Sequence, residues 1–142
     1  MKEVVTYLNF DGNTREAMTF YAHGLGAEIE LISFGDHMAG GLPKEMESMK
    51  NRIMHARLSK ASKTLLMASD AMPGTPLQAG NSFSVSVHCE SLEEIEKLFA
   101  ALSAGGKIRM PLQDASWGAR FGMLTDRFGV QWLFNFEQPK KA

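Results

Sequence analysis

The sequence predicts an α+β fold in which two tandem β-α-β-β-β modules form curved antiparallel sheets, with the helices on the outside. Three observations support this prediction: a weak internal repeat, a strand followed by a capped helix at the start of each half, and strand-like segments after each helix. The chain has 142 residues, the length of one domain. We expect a single domain, 1–142, with module one at 1–70, a linker at 71–81 and module two at 82–138.

Each module begins with the same pattern of residues. Strand-like residues 4–10 lead to a helix that Asn13 can cap, and residues 82–88 lead to a helix that Ser91 can cap. A glutamate follows each of these caps by three residues, as in a capping box, and both helices end at glycine. Because 78 residues separate Asn13 from Ser91, we expect the two helices to bury corresponding stripes.

Three further strands are predicted after each helix. Between the first two of module one lies a loop, 35–49, that is rich in glycine and methionine. We expect either that it folds over another part of the protein or a ligand, or that it is a surface excursion with a short helix over 43–50. The linker that follows module one contains two prolines and two glycines. The predicted strands are 28–34, 52–59 and 64–69 in module one, then 107–112, 121–125 and 130–136 in module two.

Composition excludes several classes of function. A formal net charge of −1 offers no sequence-wide basic field, so we expect no nucleic-acid partner. The lone Cys89 cannot form an intrachain disulfide or a multi-cysteine metal site, and we interpret it as a structural thiol. No apolar run is long enough for a membrane span and no secretory signal is evident, so we expect a cytoplasmic protein without membrane contact.

Several blocks of sequence resemble those of one protein family. They are YLNFDGN at 7–13, IMHARL at 53–58, LMASDAMPG at 66–74, GKIRMPLQD at 106–114 and WGARFGMLTDRFGVQW at 117–132. In this order they resemble the PhnB-like branch of the vicinal oxygen chelate superfamily, which includes glyoxalase I, bleomycin-binding proteins and ring-cleaving dioxygenases. The resemblance implies the glyoxalase/bleomycin resistance/dioxygenase fold, a cavity inside the curved sheets and a homodimer.

The resemblance also indicates where a metal would be expected. Superfamily enzymes hold a divalent ion with His and Glu side chains at corresponding strand positions, and these positions fall near Thr6, Leu66 or Met67, Ser84 and Leu133. None of these residues is a usual ligand, so we predict no cofactor. The alternative is one divalent ion at a shifted site built from His55, His88 and Glu137, with Asp70 as a further candidate, in a lyase, isomerase or dioxygenase.

A cavity of this kind would have a recognisable lining. Arg57 and Arg120 could bind an anion, and Trp117 could stack on a flat or apolar group. His55 shares a strand face with Arg57, and Asn135 lies on the last strand. We therefore predict a protein that binds a small molecule, with an anionic ligand as one option, through these five residues. A third hypothesis is an interaction protein whose cavity is filled by its own methionines, of which the chain has ten.

Motifs for nucleotide chemistry are absent from the sequence. No phosphate-binding P-loop, dinucleotide-binding glycine pattern or nucleophile-elbow motif occurs. Proteins that resemble this chain are sometimes labelled ubiquinone-pathway methyltransferases. Because two small β-α-β-β-β modules offer neither a doubly wound sheet nor a glycine-rich nucleotide turn, we do not predict methyl transfer.

Overall fold

The computed structural model describes residues 1–38 and 40–139, which form two compact units. Residue 39 of the predicted loop and residues 140–142 of the predicted domain lie outside the described residues. The first unit is Met1–Gln78, and the second begins at Ala79.

The first unit contains one long helix and four strands. In chain order it has β1 (Tyr7–Phe10), α1 (Thr14–Leu25), β2 (Glu28–Ser33), the short α2 (Phe34–His37), a 3₁₀ helix (Lys44–Met49), β3 (Ile53–Lys60) and β4 (Lys63–Asp70). The short helix expected in the loop is present as the 3₁₀ helix. The strand β2 ends at Ser33 because the Ser33 hydroxyl accepts a hydrogen bond from the Asp36 N–H at 3.0 Å and so begins α2.

The second unit repeats the pattern. It has β5 (Val85–His88), α3 (Leu92–Ser103), β6 (Lys107–Asp114), β7 (Ala119–Thr125) and β8 (Gln131–Glu137). The predicted α+β class and the β-α-β-β-β order of each module are therefore confirmed. The first strand of each module is shorter than predicted, beginning at Tyr7 and Val85.

Both sheets are mixed, whereas the sequence analysis predicted antiparallel sheets. The strand orders are β1-β4-β3-β2 and β5-β8-β7-β6. Within each sheet the first strand of the module pairs in parallel with the last, and the other pairs are antiparallel. Local sequence patterns do not reveal this parallel pairing, because it joins residues far apart in the chain, such as Tyr7 with Met67 and Val85 with Trp132.

The core of the first unit lies between α1 and one face of its sheet. The fully buried Met18 and Tyr21 of α1 belong to this core, together with Leu58 of β3 and Leu66 of β4. The buried carboxylate of Asp70 accepts hydrogen bonds from the N–H and hydroxyl of Thr14 and from the N–H of Ile53. Asp70, a candidate metal ligand in the sequence analysis, thus connects β4 to the start of α1 and the start of β3.

The second unit packs α3 against its sheet through aromatic residues. Phe99 of α3 meets Phe134 of β8 edge to face, with ring centroids 5.5 Å apart. A Cβ added at Gly122 would lie 2.9 Å from the Phe99 ring, so glycine at this position lets the helix approach the sheet. The indole N–H of the buried Trp132 donates to the Asp126 carboxylate at 2.8 Å.

The two predicted helix caps differ in the structure. The Ser91 hydroxyl accepts from the N–H of Glu94 at 3.0 Å, as predicted. The Asn13 side chain forms no capping hydrogen bond, so the capping box predicted there is wrong. Asp70 takes its place by accepting from the Thr14 N–H at 3.0 Å. No helix in the described part of the chain has the length and apolar character needed to cross a bilayer.

Candidate functional site

Each sheet has one face that its helix covers and one that remains partly accessible. We call the second kind of face the open face. On the first unit it comprises Tyr7 and Asn9 of β1, Met67 and Ser69 of β4, and His55 and Arg57 of β3, all of them half-buried or exposed. Strand register aligns Tyr7, Met67 and Arg57 across β1, β4 and β3. The first open face therefore combines polar and apolar side chains on rigid strands.

Arg57 is the cation of the first open face. Its Nε–H donates to the Thr64 hydroxyl at 2.8 Å, which fixes the guanidinium beside β4. No ion pair to Arg57 occurs among residues 1–38 and 40–139. Glu30 is its register partner on β2, but the two side chains do not approach within ion-pairing distance. The half-buried Arg57 therefore carries a positive charge that no carboxylate among the described residues pairs with.

His55 lies two residues before Arg57 on the same strand and contacts Tyr7. The Tyr7 hydroxyl and the His55 Nδ1 are 3.3 Å apart, and their rings are 6.0 Å apart at 34°. The direction of this hydrogen bond depends on the imidazole tautomer. The sequence analysis did not propose Tyr7 as a binding residue. The sequence shows that Tyr7 and Leu8 lie on opposite faces of a strand. The position of Tyr7 beside Met67, however, depends on the parallel pairing of β1 with β4.

The open face of the second unit contains two of the other predicted residues. Asn135 of β8 pairs in register with His88 of β5 and Phe121 of β7. The Trp117 side chain, which is 67% exposed, packs edge to face on Phe121 with ring centroids 5.7 Å apart. Ser86 adds a hydroxyl 2.9 Å from the His88 Nε2. This second open face presents an aromatic pair beside an amide and an imidazole.

Arg120 lies on the opposite side of the second sheet. Its guanidinium forms ion pairs with Asp114 of β6 at 3.3 Å and with Glu96 of α3 at 3.9 Å. Alternation along β7 places Arg120 on the helix-covered face, whereas its neighbour Phe121 is on the open face. The Arg120 Nε is buried and has no hydrogen-bond partner in the described part of the chain. The structure therefore does not bring Arg120 together with Asn135 and Trp117.

The candidate metal ligands are distributed over both units. His88 and Glu137 line one open pocket of about 460 Å³, together with Cys89, Glu90, Asn135 and Phe136. His55 belongs to the first unit. Within 1–38 and 40–139, no three His, Cys, Asp or Glu side chains are grouped so that they could hold a metal ion. The positions indicated by the family resemblance carry hydroxyl, aliphatic and thioether side chains, which do not fit a divalent ion.

Cys89 is held as a neutral thiol. Burial raises its pKa to about 11, with further contributions from the charge of Glu94 and a hydrogen bond to that carboxylate. The thiolate is the reactive form of cysteine, so a thiol with this pKa is a poor nucleophile near neutral pH. This environment agrees with the interpretation of Cys89 as a structural residue.

Known proteins share both the sequence and the fold of this chain. The sequence model of a family described as 3-demethylubiquinone-9 3-methyltransferase matches residues 2–134. The chain belongs to this family. Protein YjdN of Escherichia coli, with 37% identity, is aligned over 94% of this chain and 95% of its own length. As the sequence blocks predicted, this chain is similar to a PhnB protein, and it has the fold of glyoxalase/bleomycin resistance/dioxygenase family proteins.

Solved structures support the same assignment. Protein PA1353 from Pseudomonas aeruginosa has a TM-score of 0.83 and 43% identity, covering 98% of this chain and 100% of its own. A Bacillus cereus PhnB protein, described as a putative 3-demethylubiquinone-9 3-methyltransferase, has a TM-score of 0.75 and 28% identity, covering 95% and 99%. A glyoxalase/bleomycin resistance protein/dioxygenase family enzyme from Burkholderia phytofirmans shares the fold, with a TM-score of 0.61 and 14% identity over 93% and 97%.

Proposed function

We propose that this PhnB-like protein binds a small anionic molecule on its first open face, with Arg57 as the anchor and without a resident metal ion. The observation that supports this most directly is the guanidinium of Arg57, which is half-buried, tied to a neutral hydroxyl and not paired with a carboxylate in the described part of the chain. An arginine held in this way can donate two parallel hydrogen bonds to a carboxylate or a phosphate-like group.

The neighbours of Arg57 suit such a ligand. The hydroxyl of Tyr7 and the imidazole of His55 supply further polar groups on the same face. The Met67 thioether, in register between Tyr7 and Arg57, offers an adaptable apolar contact for the rest of the molecule. A few polar groups on a largely preformed apolar surface are typical of small-molecule sites.

We extend the proposal to the second open face, which we propose binds a flat or apolar group. The exposed indole of Trp117 and the ring of Phe121 provide a stacking surface, and Asn135 provides an amide beside it. Arg120 is not part of the proposal, since its charge is already paired with Asp114 and Glu96.

Calorimetric titration of the whole protein with a panel of small carboxylates, phosphates and phosphonates tests this function. Arg57→Gln is expected to weaken the tightest ligand by about tenfold or more, because a charge-assisted bidentate contact is lost. Arg15→Gln, which removes an exposed arginine on α1, is the matched control and should leave affinity unchanged. Equal affinity of the Arg57→Gln variant and the unmodified protein would refute the proposal.

The alternative proposal is a lyase, isomerase or dioxygenase that uses one divalent ion at a shifted site. The observation in its favour is that His88 and Glu137 line the same pocket. Metal content after exposure to nickel, zinc, manganese and iron distinguishes the two proposals. Near-stoichiometric metal that is lost in His55→Ala or His88→Ala would replace binding by metal-dependent catalysis. Metal far below one ion per two chains would support binding.

Methyl transfer, which the family description names, is not part of our proposal. Each unit has a single four-stranded mixed sheet, and the glycine-rich turn that cradles a nucleotide is missing from the sequence. A titration with S-adenosylmethionine is expected to give no saturable heat. Saturable binding would contradict this view and favour the methyltransferase description.

A further inference from the structure

A second cluster of cations lies in the second unit, around the connection from α3 to β6. Gly105, Gly106, Lys107, Ile108 and Arg109 form one side of an open pocket of about 660 Å³, and Thr125, Asp126 and Arg127 form the other. We call it the cationic pocket, because Lys107, Arg109 and Arg127 are accompanied by a single acidic residue. It is distinct in its residues from the Arg57 site proposed above, and its test does not depend on that site.

The acidic residue of the cationic pocket, Asp126, accepts hydrogen bonds at both carboxylate oxygens. Asp126 is 4% exposed, and its Oδ1 accepts hydrogen bonds from the N–H groups of Phe128 at 2.7 Å and Val130 at 3.0 Å. Its Oδ2 accepts from the indole N–H of Trp132 at 2.8 Å. Both oxygens of this carboxylate therefore accept hydrogen bonds from neighbouring groups of the second unit.

Two of the basic side chains are positioned by neutral acceptors. Arg109 donates from Nη1 to the Gln131 amide oxygen, and Gln131 in turn donates to the Gly80 carbonyl. Arg127 donates from Nε to the carbonyl of Ala104 at 3.2 Å. This bond satisfies a carbonyl at the C-terminal end of α3. Neither Lys107 nor Arg109 forms an ion pair with any described residue.

Two glycines allow the two sides of the pocket to approach each other closely. Gly105 has a φ of +74°, and a Cβ at this position would lie 3.0 Å from the Arg127 Nε. A Cβ at Gly106 would lie 2.4 Å from the Thr125 carbonyl oxygen. Side chains at these two positions would displace the Arg127 guanidinium and separate the two sides of the pocket.

We propose that the cationic pocket binds the dianionic phosphoryl group of a phosphorylated small molecule. Lys107 and Arg109, which form no ion pair with any described residue, supply two positive charges, and these match a phosphate dianion. Arginine is suited to phosphate oxygens through its fork of N–H donors, and lysine binds phosphate as a point charge. A volume of about 660 Å³ is large enough for a phosphorylated metabolite and lies within the usual range for ligand pockets.

Titration of the ¹⁵N-labelled whole protein with inorganic phosphate and pyrophosphate tests this site. The amide resonances of Gly105, Gly106 and Lys107 should shift saturably, with pyrophosphate binding more tightly than phosphate. Lys107→Gln, which breaks no hydrogen bond described above, should weaken pyrophosphate binding by about tenfold, and Lys107→Glu should abolish it. Lys97→Gln on the exposed side of α3 is the matched control and should bind as the unmodified protein does.

Further arms of the experiment distinguish phosphate binding here from binding at the Arg57 site and from nonspecific attraction of anions. In the Arg57→Gln variant, pyrophosphate should shift the amide resonances of Gly105, Gly106 and Lys107 as it does in the unmodified protein, so failure of the Arg57 site leaves this inference standing. Malonate, a carboxylate dianion, should bind more weakly than pyrophosphate. The proposal is overturned if the shifts do not saturate or if Lys107→Glu binds pyrophosphate like the unmodified protein. It is also overturned if malonate binds as tightly as pyrophosphate, or if a single-stranded oligonucleotide competes better than pyrophosphate.

Discussion

Asp70 joins three segments of the first unit through one buried carboxylate. Its oxygens accept from the Thr14 N–H at 3.0 Å, the Thr14 hydroxyl at 2.7 Å and the Ile53 N–H at 2.7 Å. Each of these donors is buried, so none can turn to water if the carboxylate is removed. The Asp70 carboxylate therefore has a structural role. It lies at the end of a strand, which is also where a metal ligand could be expected.

We predict that Asp70→Ala lowers the free energy of unfolding by about 3 kcal/mol or more, because it leaves buried donors without acceptors. Asp11→Ala is the control, since Asp11 is 62% exposed and its ion pair with Arg52 should contribute less than about 1 kcal/mol. Urea unfolding followed by circular dichroism measures both. Similar midpoints for the two variants would show that the Asp70 hydrogen bonds do not stabilise the fold.

At Cys89, the burial and the nearby carboxylate of Glu94 both disfavour the thiolate. They raise the pKa of the Cys89 thiol in the folded protein from its ordinary value of 9.0 to about 11. The neutral thiol therefore contributes stability below the unfolded-state pKa, and this contribution is lost as the pH rises towards 11.

We expect alkylation of native Cys89 by iodoacetamide to be slow near neutral pH and to accelerate only as the pH approaches 11. Glu94→Gln removes a negative charge, lowers the pKa and should speed the reaction near neutral pH. Glu93→Gln, in the same turn of α3, is the matched control. Equal rates for native and urea-unfolded protein would contradict the raised pKa of Cys89, and equal changes in the two glutamine variants would contradict the role of Glu94.

At the scale of elements, the two long helices begin in different ways despite their similar sequences. The Ser91 hydroxyl caps α3 directly, whereas the start of α1 is satisfied by a residue from a distant strand. A helix cap made by the local side chain can be recognised in the sequence. A cap supplied by Asp70 cannot, since 56 residues separate it from Thr14.

This difference predicts a loss of stability for one substitution and almost none for a similar one. Ser91→Ala should lower the free energy of unfolding by about 1 kcal/mol, the usual contribution of an N-cap hydroxyl. Asn13→Ala should leave it nearly unchanged, because the Asn13 side chain forms no capping hydrogen bond. Thermal unfolding of the two variants beside the unmodified protein provides the comparison. A larger loss for Asn13→Ala would reverse our assignment of the caps.

Strand register accounts for most of what the sequence analysis missed. Arg120 and Phe121 are neighbours in the chain, yet one faces α3 and the other faces the open side of the sheet. A shift of one residue exchanges the two faces of a strand, so the position of Arg120 depends on its pairing with Phe136. Likewise, the contact between Tyr7 and His55 depends on β4 lying between β1 and β3.

At the scale of the whole molecule, large apolar side chains remain exposed on the single chain. Phe83 is 84% exposed and Trp117 is 67% exposed in the second unit, and Tyr7, Ile32 and Leu65 are exposed to a lesser degree in the first. Exposed apolar groups of this size often mark a binding surface or a contact between subunits. They are consistent with the homodimer that the family resemblance implies.

We therefore expect sedimentation equilibrium to give twice the 15.7 kDa mass of one chain over a micromolar concentration range. Burial of such apolar groups between two chains should make association stronger as the temperature rises from cold to ambient, because the hydrophobic driving force weakens on cooling. A mass of one chain at every concentration would contradict the predicted homodimer and leave these side chains for another partner.

The sequence by itself determined the class of fold, the order of elements in each module and the family. These properties rest on local signals, namely the alternation along strands, the glycines after the helices and the Ser91 cap, together with blocks of similar sequence. The tertiary structure alone decided which side chains meet: Asp70 with Thr14, Tyr7 with His55, and Arg120 with Glu96. Such contacts join residues far apart in the chain, so they depend on strand order and register, which a pattern of neighbouring residues does not encode.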